Sequence, residues 1–419
     1  MRLKHLVAAS AVLALVPLTA AATSHVDNSA HSQESGRHWT AGWAASPQRP
    51  SAGFGPNWSE EGFSDQTVRQ VVRLTTGGDS VRIHLSNRYG ASPLRVTGAT
   101  IARAGRGAAI VPGTTTRLTV RGRSSFEIPA VTDQVSDPVE FPVKAAESVT
   151  VSLYLKDTTG PATFHSQAWT STYRAEGDHR ADDGPAAFTA STKSWYYLSG
   201  IDTSARRKRD LVVAFGDSIT DGFASTAGAN HRYPDLLADR LRAAGRDTAV
   251  VNQGIGGNLV VNDSAWYGEK STNRFRRDVL EQAGVRTVII LEGVNDIGFS
   301  ESDTPTYKPA ADVSVAELIA GYRQLIRDAH SRGVRVVGAT LLPLAGSDHY
   351  SAKAAAKQDA LNHWIRHSGE FDAVADFDRA LADPKDPERI DPRYDSGDHL
   401  HPNDAGYQLM ADTIDLRTL

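Results

Sequence analysis

The sequence predicts an all-β, sandwich-like region followed by a three-layer α/β/α domain built on a mostly parallel, five-stranded sheet. Three observations carry this. From Trp39 to about Gly200, short runs alternate apolar and polar residues between glycines and prolines, which is the period of strands with one buried face. After about residue 210 the apolar runs become continuous, as in strands covered on both sides, and helical patterns separate them. The rhythm changes at Arg206-Arg207-Lys208-Arg209, read here as a solvated linker.

Taken in chain order, the opening MRLKHLVAASAVLALVPLTAAATS has basic residues, an apolar stretch and an A-x-A arrangement at Ala20-Ala21-Ala22. This is the pattern of a secretory signal peptide over residues 1–22, cleaved near Ala22, so a secreted, extracellular protein with no stable membrane anchor is expected. Residues 23–36 are polar and rich in Ser, Asn and His, a flexible lead-in. The accessory β-domain is expected over 37–200. Its strands include TVRQVVRL (67–74), SVRIHLSN (80–87), LRVTGATIA (94–102), TRLTVRG (116–122) and SVTVSLYL (148–155). Their close spacing favours an antiparallel sandwich over a βα repeat.

The second domain is expected over 205–419. Continuous runs fall at 211–215 (LVVAF), 248–252 (TAVVN), 287–291 (TVIIL), 334–341 (VRVVGATL) and 372–376 (DAVAD). Between them the helical period is clearest where Val315, Leu318, Ile319, Tyr322, Leu325, Ile326 and Ala329 share one face.

Composition narrows the function. With 45 basic against 49 acidic residues the net charge is -4, so nothing draws this chain to nucleic acid or to an anionic membrane. The chain has no cysteine. That excludes disulfides, a thiolate nucleophile and Cys-ligated zinc.

The stretch VVAFGDSITDG (212–222) ends an apolar strand on Gly-Asp-Ser. It sets the Ser218 hydroxyl at the carboxyl edge of a sheet, where open α/β folds hold ligands. A plain N-cap serine is the competing reading. A nucleophilic serine needs a base, an orienting group and donors for an oxyanion. Near the end, YDSGDHLHPNDAGYQLM sets Asp398 three residues before His401, a spacing at which the carboxylate can fold back on one imidazole nitrogen and leave the other to take a proton. A capping loop, or a metal site of Asp398, His399 and His401, would give the same spacing. After the run at 248–252 comes NQGIGGN, whose glycines at 254, 256 and 257 let backbone N–H groups approach a ligand but lack dinucleotide-binding spacing. After the run at 287–291 comes EGVND, where the Asn295 amide can donate to a developing oxyanion or simply form a turn.

With Ser218, the glycine turn, Gly-x-Asn and Asp-x-x-His in that order, the chain resembles the SGNH hydrolase superfamily, the GDSL-type esterases and lipases, in a form with an appended N-terminal β-domain. The resemblance covers about the last half of the chain. It implies a flavodoxin-like fold for that half. It also implies that GDSIT (216–220) supplies Ser218 as nucleophile and its N–H as an oxyanion donor. Gly257 best matches the family's second glycine block, Gly293, Asn295 and Asp296 match the third, and Asp398, His401 and Pro402 match the Asp-x-x-His-Pro block. So Ser218, His401 and Asp398 are the expected catalytic residues, and Ser218, Gly257 and Asn295 the expected oxyanion hole. The absence of G-x-S-x-G around Ser218 separates the chain from ordinary α/β-hydrolases.

The reaction so implied is ester hydrolysis through an acyl-enzyme, with no metal or organic cofactor required. A carbohydrate ester or other small-molecule ester is the expected substrate, O-acetylated sugar first, with short-chain or lipid esters, acyl transfer and silent glycan binding as alternatives. Asp217 is expected to organise the turn. Trp266 and Tyr267 are candidates for the cleft entrance or for packing. His165, Gln167 and Tyr173 are candidates to reach over the cleft from the first domain, with ordinary sheet surface the favoured reading.

Overall fold

The alternating runs of the first half form two antiparallel sheets. In one, His38–Ala44 pairs with Leu198–Ala205, which pairs with Gly78–Ser86, and both Asp133–Val135 and Val139–Val143 pair with that third strand. The other runs Ala190–Thr192, Thr172–Glu176, Gln66–Arg73, Ser148–Leu155, Gly98–Arg103 and Thr116–Leu118. Alternation decides what goes inside. Val149, Val151, Leu153 and Leu155 of SVTVSLYL share one core with Val68, Val72, Val81, Ile83, Leu85 and Ile201, and each such side chain contributes about 1.5–3 kcal/mol by leaving water. The computed structural model describes residues 36–301 and 312–419. The signal peptide expected over 1–22, and all of the lead-in but residue 36, lie outside the described residues.

The continuous runs of the second half form one parallel sheet of five strands: β1 (Asp210–Gly216), β2 (Thr248–Gly254), β3 (Val285–Leu291), β4 (Arg335–Ala339) and β5 (Ala373–Ala375). Their order across the sheet is β2-β1-β3-β4-β5. Because β1 lies between β2 and β3, the connections leave it toward opposite edges, and a crevice opens at the carboxyl ends of these three strands. Register brings those ends level, since Gly216 of β1 is opposite both Gly254 of β2 and Leu291 of β3.

Helices cover the sheet. They are α1 (Ser218–Asp221), α2 (Tyr233–Ala243), α3 (Ser271–Phe275), α4 (Val294–Glu301), α5 (Val315–His330), α6 (Ala352–His367), α7 (Phe377–Leu381) and α8 (Asp404–Thr413). The face read from the 3.6-residue period of α5 is its inner face, with Leu318, Tyr322, Leu325, Ile326 and Ala329 buried. Ser314 starts that helix by accepting from the Glu317 N–H, while the Glu317 carboxylate accepts from the N–H of Ser314, a reciprocal cap of about 1 kcal/mol.

The two halves meet closely, and His38–Leu419 is one compact unit. Ala41 and Ala44, from the first strand of the β-rich region, belong to the core of the parallel sheet. The Ala41 N–H donates to the Ala283 carbonyl at 3.0 Å.

Candidate active site

Three consecutive strand ends supply three groups of residues. β1 stops at Gly216 and turns directly into α1, with Asp217 as N-cap accepting from the Ile219 N–H at 3.0 Å. That turn sets Ser218 at the first helical position, 7% exposed. Asp217 therefore organises the turn, as expected. Its second carboxyl oxygen is buried without a partner among the described residues. Burial and the charge of Glu292 hold this carboxyl well above the usual carboxylate range.

The loop before α8 brings His401 to the serine. Ser218 Oγ lies 2.8 Å from His401 Nε2, and His401 Nδ1 lies 2.7 Å from Asp398 Oδ2. The other Asp398 oxygen accepts from the N–H groups of His401 at 2.8 Å and Leu400 at 3.0 Å. Burial pushes the Asp398 carboxyl up, but the hydrogen bond and charge of His401, with these N–H groups, outweigh it and hold the carboxyl well below its ordinary range. An ionised Asp398 fixes the proton of the neutral imidazole on Nδ1, so Nε2 faces Ser218 with its lone pair. His399 does not join them: its Nδ1 lies 2.6 Å from Asp395 Oδ2. The α8 cap is Asn403, and Pro402 stands outside the helix.

The glycine turn after β2 is held from several sides. Gly256 donates to Asp221 Oδ2 at 3.2 Å, while the N–H groups of Gly257 and Ser218 donate to no acceptor among the described residues. Gly257 has φ 75°, and a Cβ there would sit 2.2 Å from the Tyr267 ring. Position 257 thus requires glycine on both counts. Tyr267 is 2% exposed and packs beneath the turn, whereas Trp266 is 37% exposed. After β3, Asn295 on α4 donates through Nδ2 to the Asn258 carbonyl at 3.1 Å, one residue beyond Gly257. One amide hydrogen remains. Asp296 fastens the same loop, accepting from the Val260 N–H at 2.8 Å.

Several residues that organise the site have no motif in the sequence. Arg274 of α3 is fully buried and donates to the carbonyls of Gly216 (2.9 Å) and Gln253 (2.8 Å), to Asn258 Oδ1 (2.8 Å) and to Glu292 Oε1 (3.1 Å). One guanidinium thus ties the carboxyl ends of β1, β2 and β3 together. His349 Nε2 lies 3.1 Å from Asn295 Oδ1. Burial pushes the His349 imidazole down to about 4, with His401 adding to the shift. The neutral ring donates from Nε2, which fixes the Asn295 amide with its nitrogen toward the glycine turn. The ring sits where Gly298 leaves room, 2.1 Å from the place a Cβ would occupy.

His165 and Gln167 are not the sheet surface expected of them. His165 is 3% exposed; its Nδ1 donates to the Ser46 carbonyl at 2.9 Å and its Nε2 pairs with Asp221 Oδ1 at 3.1 Å. Burial opposes the charged imidazolium, but Asp221 prevails and the net shift is upward. Through Asp221, the β-rich region thereby touches the residue that holds Gly256. Tyr173 lies on the strand Thr172–Glu176, paired with Ser191 and Arg69.

Residues 214–409 match the family model described as GDSL-like lipase/acylhydrolase. The chain carries a GDSL-like lipase/acylhydrolase domain. With that domain it is a carboxylic ester hydrolase of SGNH α/β fold, preceded by a β-rich region. Among solved structures, a protein described as lipolytic and of the G-D-S-L family from Desulfitobacterium hafniense is 22% identical, covering 50% of this chain and 100% of its own, at a TM-score of 0.38. An acetylxylan esterase from Geobacillus stearothermophilus is 21% identical over 50% of this chain and 93% of its own, at 0.39. A lipase/acylhydrolase from Enterococcus faecalis is 20% identical over 49% and 92%, at 0.38. No curated protein sequence matches the chain.

Proposed function

We propose that the protein is a secreted serine esterase acting through Ser218, His401 and Asp398 on O-acetylated or similarly acylated carbohydrate. The observation that carries the catalytic part is the unbroken chain from Ser218 Oγ to His401 Nε2 at 2.8 Å and from His401 Nδ1 to Asp398 at 2.7 Å. It lies at the strand ends where the GDSL-like domain opens. Secretion is supported by the signal-peptide pattern at 1–22. Among the described residues no helix is long and apolar enough to cross a membrane.

In the reaction, Ser218 Oγ attacks the acyl carbonyl while His401 Nε2 takes its proton, and Asp398 steadies the imidazolium that forms. The N–H groups of Ser218 and Gly257 and the Asn295 amide receive the oxyanion. Each such donor is worth about 2.7–4 kcal/mol in a serine hydrolase. His401 then gives the proton to the departing alcohol oxygen as the tetrahedral carbon collapses to the acyl-enzyme. Water, activated by the same imidazole, attacks next and frees the acid and Ser218.

The test is acid release from a panel of p-nitrophenyl esters and acetylated oligosaccharides by wild type beside Ser218→Ala. The expected loss is about 10⁶-fold in kcat, with circular dichroism and melting unchanged. Turnover at the wild-type rate in the variant defeats the assignment of Ser218. A preference for long acyl chains over acetyl groups defeats the carbohydrate reading and leaves a lipase.

A further inference from the structure

We propose that a cavity walled by the β-rich region is the subsite for the alcohol part of the ester, and that it takes a hydroxylated sugar ring. The inference rests on the roles given above to Ser218 and His401. The cavity measures about 500 Å³, within the roughly 300–1,000 Å³ of small-molecule sites. Its walls include Phe54, Gln167, Trp169, Lys193, Ser194 and Phe223, and among the described residues Phe223 is the one lining residue from the GDSL-like domain.

Two walls bracket the reacting centre. On one side the Phe223 ring lies 4.3 Å from the His401 ring, and Trp169 stands edge-on to Phe223 at 5.5 Å. On the other, Gln167 and Phe54 lie against the glycine turn: a Cβ at Gly256 would meet Gln167 Oε1 at 2.1 Å and the Phe54 ring at 2.9 Å. His401 hands its proton to the leaving oxygen, so the alcohol departs along the His401 side. Phe223, whose ring contacts that of His401, is also a wall of the cavity.

The lining indicates the kind of alcohol. An acyl tail would call for a continuous apolar wall, but here aromatic faces alternate with an amide, a hydroxyl and an ammonium. Flat rings beside hydrogen-bonding groups match a pyranose, whose C–H faces stack and whose rim hydroxyls donate and accept. Gln167 supplies a specific acceptor. It is 7% exposed, and its Oε1 has no hydrogen-bond partner among the described residues. A buried acceptor left unpaired is costly, and a sugar hydroxyl would satisfy it after a turn of the terminal amide. Phe54 rests against the Tyr267 ring at 5.4 Å and is still 42% exposed, so ring surface remains for a sugar to stack on.

The experiment compares two acetyl esters that differ in alcohol, methyl tetra-O-acetyl-glucopyranoside and ethyl acetate, followed by acid release in a pH-stat. The full chain is used as wild type, Phe54→Ala, Gln167→Ala and Ser218→Ala. Wild type is expected to prefer the sugar ester. In Phe54→Ala and Gln167→Ala the ratio of kcat/KM for the sugar ester to that for ethyl acetate is expected to fall about tenfold or more, chiefly through KM. A ratio that stays within about twofold of wild type overturns the subsite. So does a wild type that uses Ser218 on ethyl acetate without favouring the sugar. Undiminished acid release in Ser218→Ala overturns the underlying catalytic reading instead. Because Phe54 is at the exposed rim, its variant decides the matter even if Gln167→Ala fails to fold.

Discussion

An amide side chain is a good oxyanion donor only if its nitrogen, and not its oxygen, faces the reacting carbonyl. In the proposed oxyanion hole, Asn295 would owe that orientation to His349, a neutral imidazole because burial holds it down to about 4. His349→Ala removes the donor that fixes the amide. The expected fall in kcat is roughly 10–100-fold, short of the ~10²–10³ for losing the Asn295 donor itself, and KM changes little. His349→Gln, which restores an N–H, is expected to recover part of kcat. Steady-state kinetics on one small acetate ester checks both. Equal losses in the two variants, or a loss confined to KM, would show that His349 merely fills space.

The ends of β1, β2 and β3 make the site, and the turn after β2 has the narrowest tolerance. Gly257→Ala would force a Cβ into the Tyr267 ring and an alanine into φ 75°. The expected cost is about 1–3 kcal/mol of stability, together with a drop in kcat larger than any change in KM; denaturant melts and initial rates measure them. These strand ends were also the readable part of the sequence. LVVAF, TAVVN and TVIIL announce buried strands by continuous apolar character, and Ser218, Asn295, Asp398 and His401 stand in recognisable local patterns. The strands Phe126–Ile128, Phe164–His165 and Trp195–Tyr196 did not announce themselves, because two or three residues cannot display a period. Arg274 and His349 escaped for a different reason. Their roles come from approach in space: Arg274 meets three strand ends, and His349 reaches Asn295 from a loop 54 positions away, with nothing in either local sequence to mark the partner.

At the scale of the molecule, the β-rich region is structurally joined to the domain that holds the catalytic candidates. Ala41 and Ala44 enter the core of the parallel sheet, Ser46 hydrogen-bonds Gln253 Oε1 at 2.6 Å and lies 3.1 Å from Arg274 Nη1, and His165 pairs with Asp221. Residues 206–419 alone would expose the apolar part of that seam and deprive Asp221 of its His165 partner. The isolated segment is expected to lack a cooperative calorimetric transition and to have no esterase activity. A sharp melt with wild-type kcat would show that the β-rich region is dispensable. The pairing of His38–Ala44 with Leu198–Ala205 also sets a schedule for biosynthesis. The first of these strands leaves the ribosome long before its partner exists, and β1 and β2, whose core Ala41 and Ala44 join, follow later still. Such distant pairings close slowly. Acquisition of hydrolytic competence is therefore a late event in maturation, reached only after the last strand ends are made and docked.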